Sequence, residues 1–203
     1  KFNYKIISSG GTAQYLLEAK IPVIKVADFT NSPEILEGRV KTLHPKIHGG
    51  ILAKRSDENH KRDVEINKLE LIDLVVVNLY PFKKKIQEEC SWEDAIENID
   101  IGGPSMIRSA AKNHKDVSVL VDPSQYKFFL EENKKGKLSE EYKVKLAFEA
   151  FQHTADYDAA ISNWISKEKN LLPSRHIESL PIIKSLRYGE NPHQKAFWYG
   201  LNN

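Results

Sequence analysis

The sequence predicts an α/β fold in which a parallel sheet is flanked by helices, and three observations support it. Strand-like and helical segments alternate along the chain from Tyr4 to Glu132. The strand predicted over Asp73 to Pro81 is apolar at consecutive positions near its centre, as expected for a strand covered on both faces. With 40% hydrophobic side chains in 203 residues, the chain can also bury a substantial core.

The first elements predict a βαβ unit. Tyr4 to Ser8 predicts a short strand, and the glycine turn after it leads into a helix over Ala13 to Ala19. A second extended piece, Pro22 to Val26, follows within a few residues. This spacing is typical of a βαβ unit, in which the two strands are parallel.

The middle of the chain continues the alternation. Ser91 is a suitable N-cap, and the acidic residues after it favour the start of a helix. The predicted elements are, in order, the strand over Asp73 to Pro81, helices over Trp92 to Asn98 and Ser105 to His114, a strand over Val117 to Val121, and a helix from Asp122-Pro123 through Glu132.

Apolar residues at helical spacing predict a long amphipathic helix from Ser139 to about Lys167. Such a stripe is more typical of core or subunit-interface packing than of a ligand site. After it, the polar, proline-bearing segment from Pro173 to Pro181 is typical of a linker. The stripe consists of Val144, Phe148, Phe151 and Ala155, with Tyr157, Ile161 and Trp164 beside them.

Charge and composition argue against several classes of partner. The formal net charge of +2 comes from 30 basic and 28 acidic residues that are mixed along the chain, so nucleic-acid binding is not expected. No apolar run is long enough to span a bilayer, and no secretory signal is recognisable. The one cysteine, Cys90, has no partner for an internal disulfide, which suits a reducing compartment. We therefore expect a cytoplasmic protein without a membrane partner.

Two segments could bind an anion such as a phosphate. Ser9-Gly10-Gly11-Thr12 could bring backbone N–H groups and a helix N-terminus to a phosphate, although a purely structural turn has the same pattern. The segment from Arg39 to Gly50 combines cations and a hydroxyl group with a proline and a double glycine, which predicts an irregular loop. That loop could turn Lys41 and Thr42 toward an anion, and the alternative is a solvated basic loop.

His44 and His48 are four residues apart, a spacing that would place two metal ligands on one face of a helix. Pro45 lies between them and disfavours that helix. No cluster of cysteines or carboxylates supplies further ligands, so no metal site is predicted.

Three further polar residues lie at the ends of predicted elements. Tyr80 ends the buried strand, where open parallel sheets place their ligand crevice. Asp100 precedes the Gly102-Gly103 turn, where it could act as a base or cap the next helix, and spacing does not separate these roles. Lys112 lies near the end of a helix, where a lysine is ordinarily a surface charge that complements the dipole.

Six segments, in this order, make the sequence resemble the IMP cyclohydrolase domain of the bifunctional AICAR transformylase/IMP cyclohydrolases. The resemblance covers nearly the whole chain and implies a methylglyoxal-synthase-like fold with a long C-terminal helix and the start of a second domain. The segments are Ser9 to Thr12, Gly38 to Pro45, Asn78 to Phe82, Asn98 to Gly103, Arg108 to His114 and Leu186 to Gln194.

The resemblance also implies a reaction, namely dehydrative ring closure of FAICAR to IMP at the end of purine biosynthesis, in a homodimer and without a cofactor or metal. Asp100 would act on the carboxamide proton, while Lys112 would donate to the formyl oxygen with help from Tyr80. Lys41 is the alternative donor. The implied catalytic residues are Lys41, Tyr80, Asp100 and Lys112. The implied substrate-binding residues are Ser9, Gly11, Thr12, Arg39, Thr42, Ile101 and Gly102, with the first three at the 5′-phosphate and with Lys41 and Thr42 beside them.

Members of the resembled family carry an upstream strand and a Ser-x-Ser-Asp-Lys type loop, so we expect this domain to lack its first strand and loop. The expected organisation is the cyclohydrolase domain over 1–172, a linker over 173–181 and the start of an AICAR transformylase domain over 182–203. In the latter, Arg187 and Tyr188 would help to bind the AICAR nucleotide. The full-length protein would formylate AICAR with 10-formyltetrahydrofolate as co-substrate.

Two other functions stay open. A methylglyoxal-synthase-like lyase acting on a triose phosphate would explain the phosphate turn, but it has no place for the segment from Leu186 to Gln194. A nucleotide-sensing regulatory module could bind a nucleotide without Asp100 or Lys112 doing chemistry.

Overall fold

A computed structural model of the chain describes residues 4–200 and confirms the predicted α/β class. The chain divides into two compact units, Lys1–Thr154 and Ala155–Asn203. The helices are α1 (Gly10–Glu18), α2 (Val26–Thr30), α3 (Pro45–Leu52), α4 (Glu58–Ile66), α5 (Phe82–Lys85), α6 (Trp92–Glu97), α7 (Gly102–Lys112), α8 (Ser124–Lys134) and α9 (Glu140–Glu168). The strands are β1 (Ile7–Ser8), β2 (Ile24–Lys25), β3 (Leu74–Val76), β4 (Ser118–Leu120), β5 (Ile182–Ser185) and β6 (Phe197–Tyr199).

The strands of the first unit pair in parallel, as predicted. Ile7 of β1 lies opposite Ile24 of β2, and α1 connects these two strands as the predicted βαβ unit requires. In β3 and β4, Val75 lies opposite Val119. The continuous sheet that was predicted is not seen among the described residues, where the strands form separate two-stranded pairs. β2 is short because α2 begins at Val26, directly after it.

The core of the first unit lies between the β3–β4 pair and the helices packed on it. Ile51 of α3, Ile107 of α7 and Leu146 of α9 are each at most 1% exposed. Full burial of such side chains stabilises the fold by about 1.5–3 kcal/mol each. α7 approaches the core closely because Ala110 and Ala111 present only methyl groups there. This packing sets the position of α7, whose N-terminal end lies at the candidate site.

The predicted irregular loop over Arg39 to Gly50 is wrong in its second half, because α3 begins at Pro45. Proline is well suited to the first position of a helix, where no intrahelical partner awaits its missing N–H. His44 is the N-cap, and its Nδ1 accepts a hydrogen bond of 3.1 Å from the backbone N–H of Lys46. The proline therefore starts the helix instead of preventing it.

The predicted apolar stripe on α9 is not a core face of the first unit. Val144 is 48% exposed, Phe148 61% and Phe151 40%. The buried side of the helix is instead built from one aromatic ring and several small or aliphatic side chains. These are Tyr142, Leu146, Ala147, Ala150 and Thr154.

The second unit contains the end of α9, an irregular segment and the antiparallel hairpin of β5 and β6. Residues 173–181, all of which are described, contain no helix or strand. Arg187 and Tyr188 lie in the connection between the two strands, and Tyr188 is 55% exposed. The domain boundaries expected from the sequence stay a prediction. Within residues 4–200, no helix combines the length and the apolar character needed to cross a membrane.

Candidate active site

The glycine turn before α1 leaves the N-terminus of that helix open. Gly10 has a φ of +54°, a left-handed conformation that favours glycine, and Ser9 is the N-cap. The first N–H groups of a helix have no intrahelical partner, so they point to whatever lies ahead of it. A Cβ atom built on Gly11 would meet no atom within 4 Å, so the space in front of this turn is open. Backbone N–H groups and the helix dipole can thus act together on a phosphate here.

Lys41 lies over this turn. A Cβ atom at position 10 would be 3.4 Å from Lys41 Nζ, and one at position 38 would be 2.6 Å from Lys41 Cε. Gly38 itself has a φ of +87°, so both its conformation and the contact require glycine. The ammonium group is therefore placed at the start of α1, where a phosphate would need a counter-charge.

Thr42 connects the same region to the start of α7. A Cβ atom at position 102 would lie only 2.5 Å from Thr42 Oγ1, so the hydroxyl group packs directly on the backbone of Gly102. Thr42 is half-buried, while the neighbouring Ile101 is 59% exposed. Two helix N-termini, those of α1 and α7, are bridged in this way by the consecutive residues Lys41 and Thr42.

Asp100 is fixed at the N-terminus of α7. Its Oδ1 accepts a hydrogen bond of 2.8 Å from the backbone N–H of Gly103, so the capping contact considered from the sequence is present. A Cβ atom at position 103 would lie 2.6 Å from Asp100 Oδ2 and 2.7 Å from Leu79 Cδ2. A carboxylate has acceptor capacity for more than one partner, so capping is compatible with a role as base.

Tyr80 lies in the segment that leaves β3 and enters α5. The residue is 52% exposed, and its backbone carbonyl accepts a 2.7 Å hydrogen bond from the N–H of Phe82. The adjacent Leu79 packs against the backbone of Gly103, where a Cβ atom would lie 2.7 Å from Leu79 Cδ2. The strand end is thereby joined to the start of α7, as expected of a crevice at the carboxyl ends of parallel strands.

Arg39 is engaged by Glu97 at the end of α6. Its Nε lies 3.1 Å from Glu97 Oε1, and a second, shorter contact joins Nη2 to Oε2. This hydrogen bond raises the pKa of Arg39 and lowers the pKa of Glu97. Both side chains are more than half exposed, so the pair is an exposed contact of small energetic weight.

Lys112 is not brought to Asp100 within one chain. It is the last residue of α7, whereas Asp100 caps the first turn of that helix. At a rise of about 1.5 Å per residue, the 11-residue helix separates the two by about 15 Å. The Lys112 side chain instead lines an open groove with Arg108, His114 and Phe151.

Two features of this region were missed from the sequence. Glu34 Oε2 lies 3.7 Å from Lys41 Nζ, a contact that no motif revealed. His48 Nδ1 lies 3.1 Å from Ser109 Oγ, and its Nε2 is buried without a hydrogen-bond partner among the described residues. Burial lowers the pKa of His48. A helix at Pro45, had it been recognised, would have turned this histidine toward α7.

Within residues 4–200, no group of three or more histidine, cysteine, aspartate or glutamate side chains is arranged to hold a metal ion. The donors that the site does bring together are backbone N–H groups, hydroxyl groups and one ammonium group. These are ligands for a phosphate and for polar groups of an organic substrate.

The fold is an α/β domain with an open crevice at the N-termini of α1 and α7, and two family models match the chain. Residues 1–105 match the MGS-like domain, and residues 110–203 match the AICARFT/IMPCHase bienzyme. The chain therefore belongs to the MGS-like domain family, in the form found in the N-terminal part of bifunctional PurH proteins.

Individual relatives agree with this assignment. The chain is 80% identical over all 203 residues to the bifunctional purine biosynthesis protein PurH of Prochlorococcus marinus strain MIT 9301. It is 58% identical over 201 residues, 98% of its length, to PurH of strain MIT 9211. In each case it spans 39% of the relative's length. A solved structure described as the crystal structure of ForH matches with a TM-score of 0.67 and 31% identity, over 79% of this chain and 84% of that one.

Proposed function

We propose that this chain is the IMP cyclohydrolase part of a bifunctional purine-biosynthesis enzyme and closes the ring of FAICAR to give IMP. One observation carries the proposal: the three separate segments around Gly10, Lys41 and Asp100 meet at the N-termini of α1 and α7. The similarity to PurH over the whole chain supports the same reaction.

The crevice offers a phosphate end and a reacting end. Ser9, Gly11, Thr12 and Lys41 surround the start of α1 and would bind the 5′-phosphate. Thr42 would lie beside the phosphate, and contacts toward the base would come from α7 and the segments before it, through Arg39, Ile101 and Gly102. Arg39 would have to exchange its contact with Glu97 for one with the substrate.

In the proposed reaction, the carboxamide nitrogen attacks the formyl carbon and a new nitrogen–carbon bond closes the ring. The attacking nitrogen loses one proton, and the former formyl oxygen gains one. That oxygen then leaves as water with the proton of the formamide nitrogen. Holding the two groups in contact could supply up to about 7–11 kcal/mol of the barrier reduction.

Asp100 is the proposed base for the carboxamide proton, because its carboxylate is fixed at the rim of the crevice by the N–H of Gly103. Tyr80 is an exposed hydroxyl donor on the neighbouring segment. A cation near the developing oxygen charge, Lys112 with Lys41 as the alternative, would complete the site. The chemistry proposed for these residues requires no cofactor or metal.

A catalytic Lys112 implies a homodimer, because about 15 Å of helix separates it from Asp100 in its own chain. The exposed stripe of Val144, Phe148 and Phe151 is a suitable contact surface. Phe151 lies next to Lys112 in the same groove, so burying the stripe against a second copy would carry Lys112 toward the partner.

Mixed dimers test this arrangement. Asp100→Asn and Lys112→Ala chains, each inactive alone, should regain roughly a quarter of wild-type activity when co-expressed, because half of the random dimers carry one intact composite site. Activity of the mixture no greater than that of either variant alone would show that Lys112 does not act across the dimer.

The remaining part of the chain fits the start of a second catalytic domain. We assign 1–172 to the cyclohydrolase domain, 173–181 to a linker and 182–203 to the start of the AICAR transformylase domain, supported by the bienzyme match over 110–203. Arg187 and Tyr188 lie in an exposed connection where they could contact the AICAR nucleotide. The whole protein would use 10-formyltetrahydrofolate and work in the cytoplasm.

The function is tested by following conversion of FAICAR to IMP by absorbance with the full-length protein. We expect IMP formation with FAICAR and no methylglyoxal from dihydroxyacetone phosphate. Methylglyoxal formation without IMP would identify a lyase of the same fold. Nucleotide binding without either product would identify a regulatory module.

A further inference from the structure

We propose that Glu34 is a positioning residue for Lys41, which it holds over the glycine turn of the phosphate site. The proposal rests on the proposed function of that site. Glu34 Oε2 lies 3.7 Å from Lys41 Nζ, and the two side chains are 37% and 25% exposed, respectively. The pair is thus partly shielded from water, which distinguishes it from the more exposed contact of Arg39 with Glu97.

The backbone is built to bring these two residues together. Ile35 and Val40 form an isolated antiparallel bridge, with hydrogen bonds of 3.2 and 3.4 Å between their backbones. Glu34 and Lys41 are the residues directly outside this bridge. The register of the bridge therefore sets one side chain beside the other.

The turn that closes the bridge is strained. Leu36, Glu37 and Gly38 have consecutive φ values of +53°, +55° and +87°. Left-handed backbone is unfavourable at a non-glycine residue, and two such residues adjoin here. Neither Leu36 nor Glu37 is buried, so core packing does not account for this conformation.

Contacts with glycine define where the ammonium group can go. The end of the Lys41 side chain packs against Gly38, where a Cβ atom at position 38 would lie only 3.0 Å from Lys41 Nζ. Gly10 lies on the other side, with its Cβ position 3.4 Å from Nζ. Glu34 Oε2 is 3.7 Å from the Gly38 Cβ position, so it closes the remaining side. The three groups together direct Lys41 to the start of α1.

This placement predicts how Glu34 acts. Its carboxylate orients the lysine before substrate arrives, so that less side-chain entropy is lost when the phosphate binds. The effect of removing it should therefore appear in KM for the nucleotide more than in kcat. It should also vanish when Lys41 is absent, because Glu34 acts only through that residue.

A double-mutant cycle in the full-length protein tests the proposal. Glu34→Gln should raise KM for FAICAR by about three- to fivefold with kcat within twofold of wild type, as expected for a partly exposed ion pair. In a Lys41→Ala background the same change should have no further effect. Glu37→Gln, on the same turn but outside the Lys41 contacts, is the matched control and should leave KM unchanged. Equal effects of Glu34→Gln with and without Lys41 would overturn the proposal.

A second readout does not depend on catalysis. Competitive acetylation followed by mass spectrometry measures the reactivity of each lysine, and Lys41 should react several-fold faster in Glu34→Gln than in wild type or Glu37→Gln. An unchanged rate would overturn the positioning role even if the protein makes no IMP. Conversely, faster labelling of Lys41 in a protein that makes no IMP would refute the proposed function alone.

Discussion

Replacing Gly103 by alanine should damage the site at Asp100 more than it damages the fold. The added methyl group would lie 2.6 Å from Asp100 Oδ2 and 2.7 Å from Leu79 Cδ2, whereas ordinary contacts begin at 3.4 Å. The carboxylate and the leucine must each move by about 1 Å to make room. Since a misplacement of about 1 Å can cost around 100-fold in rate, kcat for IMP formation should fall by about that factor.

The stability effect of the same change should be small. Overpacking costs about 1–3 kcal/mol, and about 0.8–1 kcal/mol of this is returned because alanine favours a helix over glycine. Thermal unfolding should therefore shift by only a few degrees.

Gly49→Ala is the matched control, because its methyl group would lie 2.7 Å from Leu69 Cδ1 and touches no carboxylate. It should lower the unfolding temperature similarly and leave kcat unchanged. A Gly103→Ala enzyme with kcat within twofold of wild type would refute the assignment of Asp100 to the reacting end.

Three further changes give distinct readouts. Gly11→Ala should raise the free energy of unfolding by about 0.5–1 kcal/mol, since nothing obstructs the methyl group. The same change should weaken IMP binding, as measured by calorimetry, because the methyl group fills the space ahead of α1. His48→Gln should flatten the pH dependence of urea unfolding. Burial lowers the His48 pKa below 6.5, so the unfolded chain takes up the proton first and wild type loses stability as the pH falls from 6.5 toward the folded pKa. Phe148→Glu, which charges a side chain that is 61% exposed, should yield monomers in sedimentation experiments while the isolated subunit keeps its helical signal.

Local pattern predicted most of the fold because the signals were local. The glycine turn, the strand at β4 and the Ser91 cap each depend on neighbours within a few residues, and the capping box of Ser91 and Asp94 is present. The strand predicted over Asp73 to Pro81 is shorter, Leu74–Val76, and it is not covered on both faces, because Val76 is 48% exposed. Pro45 was misjudged because proline breaks a helix in its interior but starts one at its first position. The sequence left open whether the stripe on α9 packs in the core or at a subunit interface, because Tyr142 and Leu146 also repeat at helical spacing and only tertiary packing selects the core face.

The site was harder to predict because its contacts join distant parts of the chain. Lys41 and Thr42 were recognisable as anion ligands, but their approach to Gly10 and Gly102 depends on how helices pack. Glu34 escaped notice because its contact with Lys41 depends on a single bridge and a left-handed turn. The separation of Asp100 and Lys112 was implicit in the helix predicted over Ser105 to His114, although the observed helix, Gly102–Lys112, begins and ends earlier.

The kcat of Asp100→Asn in the full-length protein, with FAICAR as substrate, tests the central claim most directly. Asparagine keeps the shape of the side chain and can still accept the hydrogen bond from Gly103, so folding and substrate binding should be preserved. The proposed base would be lost, and kcat should fall by about 100-fold or more with KM nearly unchanged. A variant that makes IMP at the wild-type rate would contradict the assignment of this crevice as the site of ring closure.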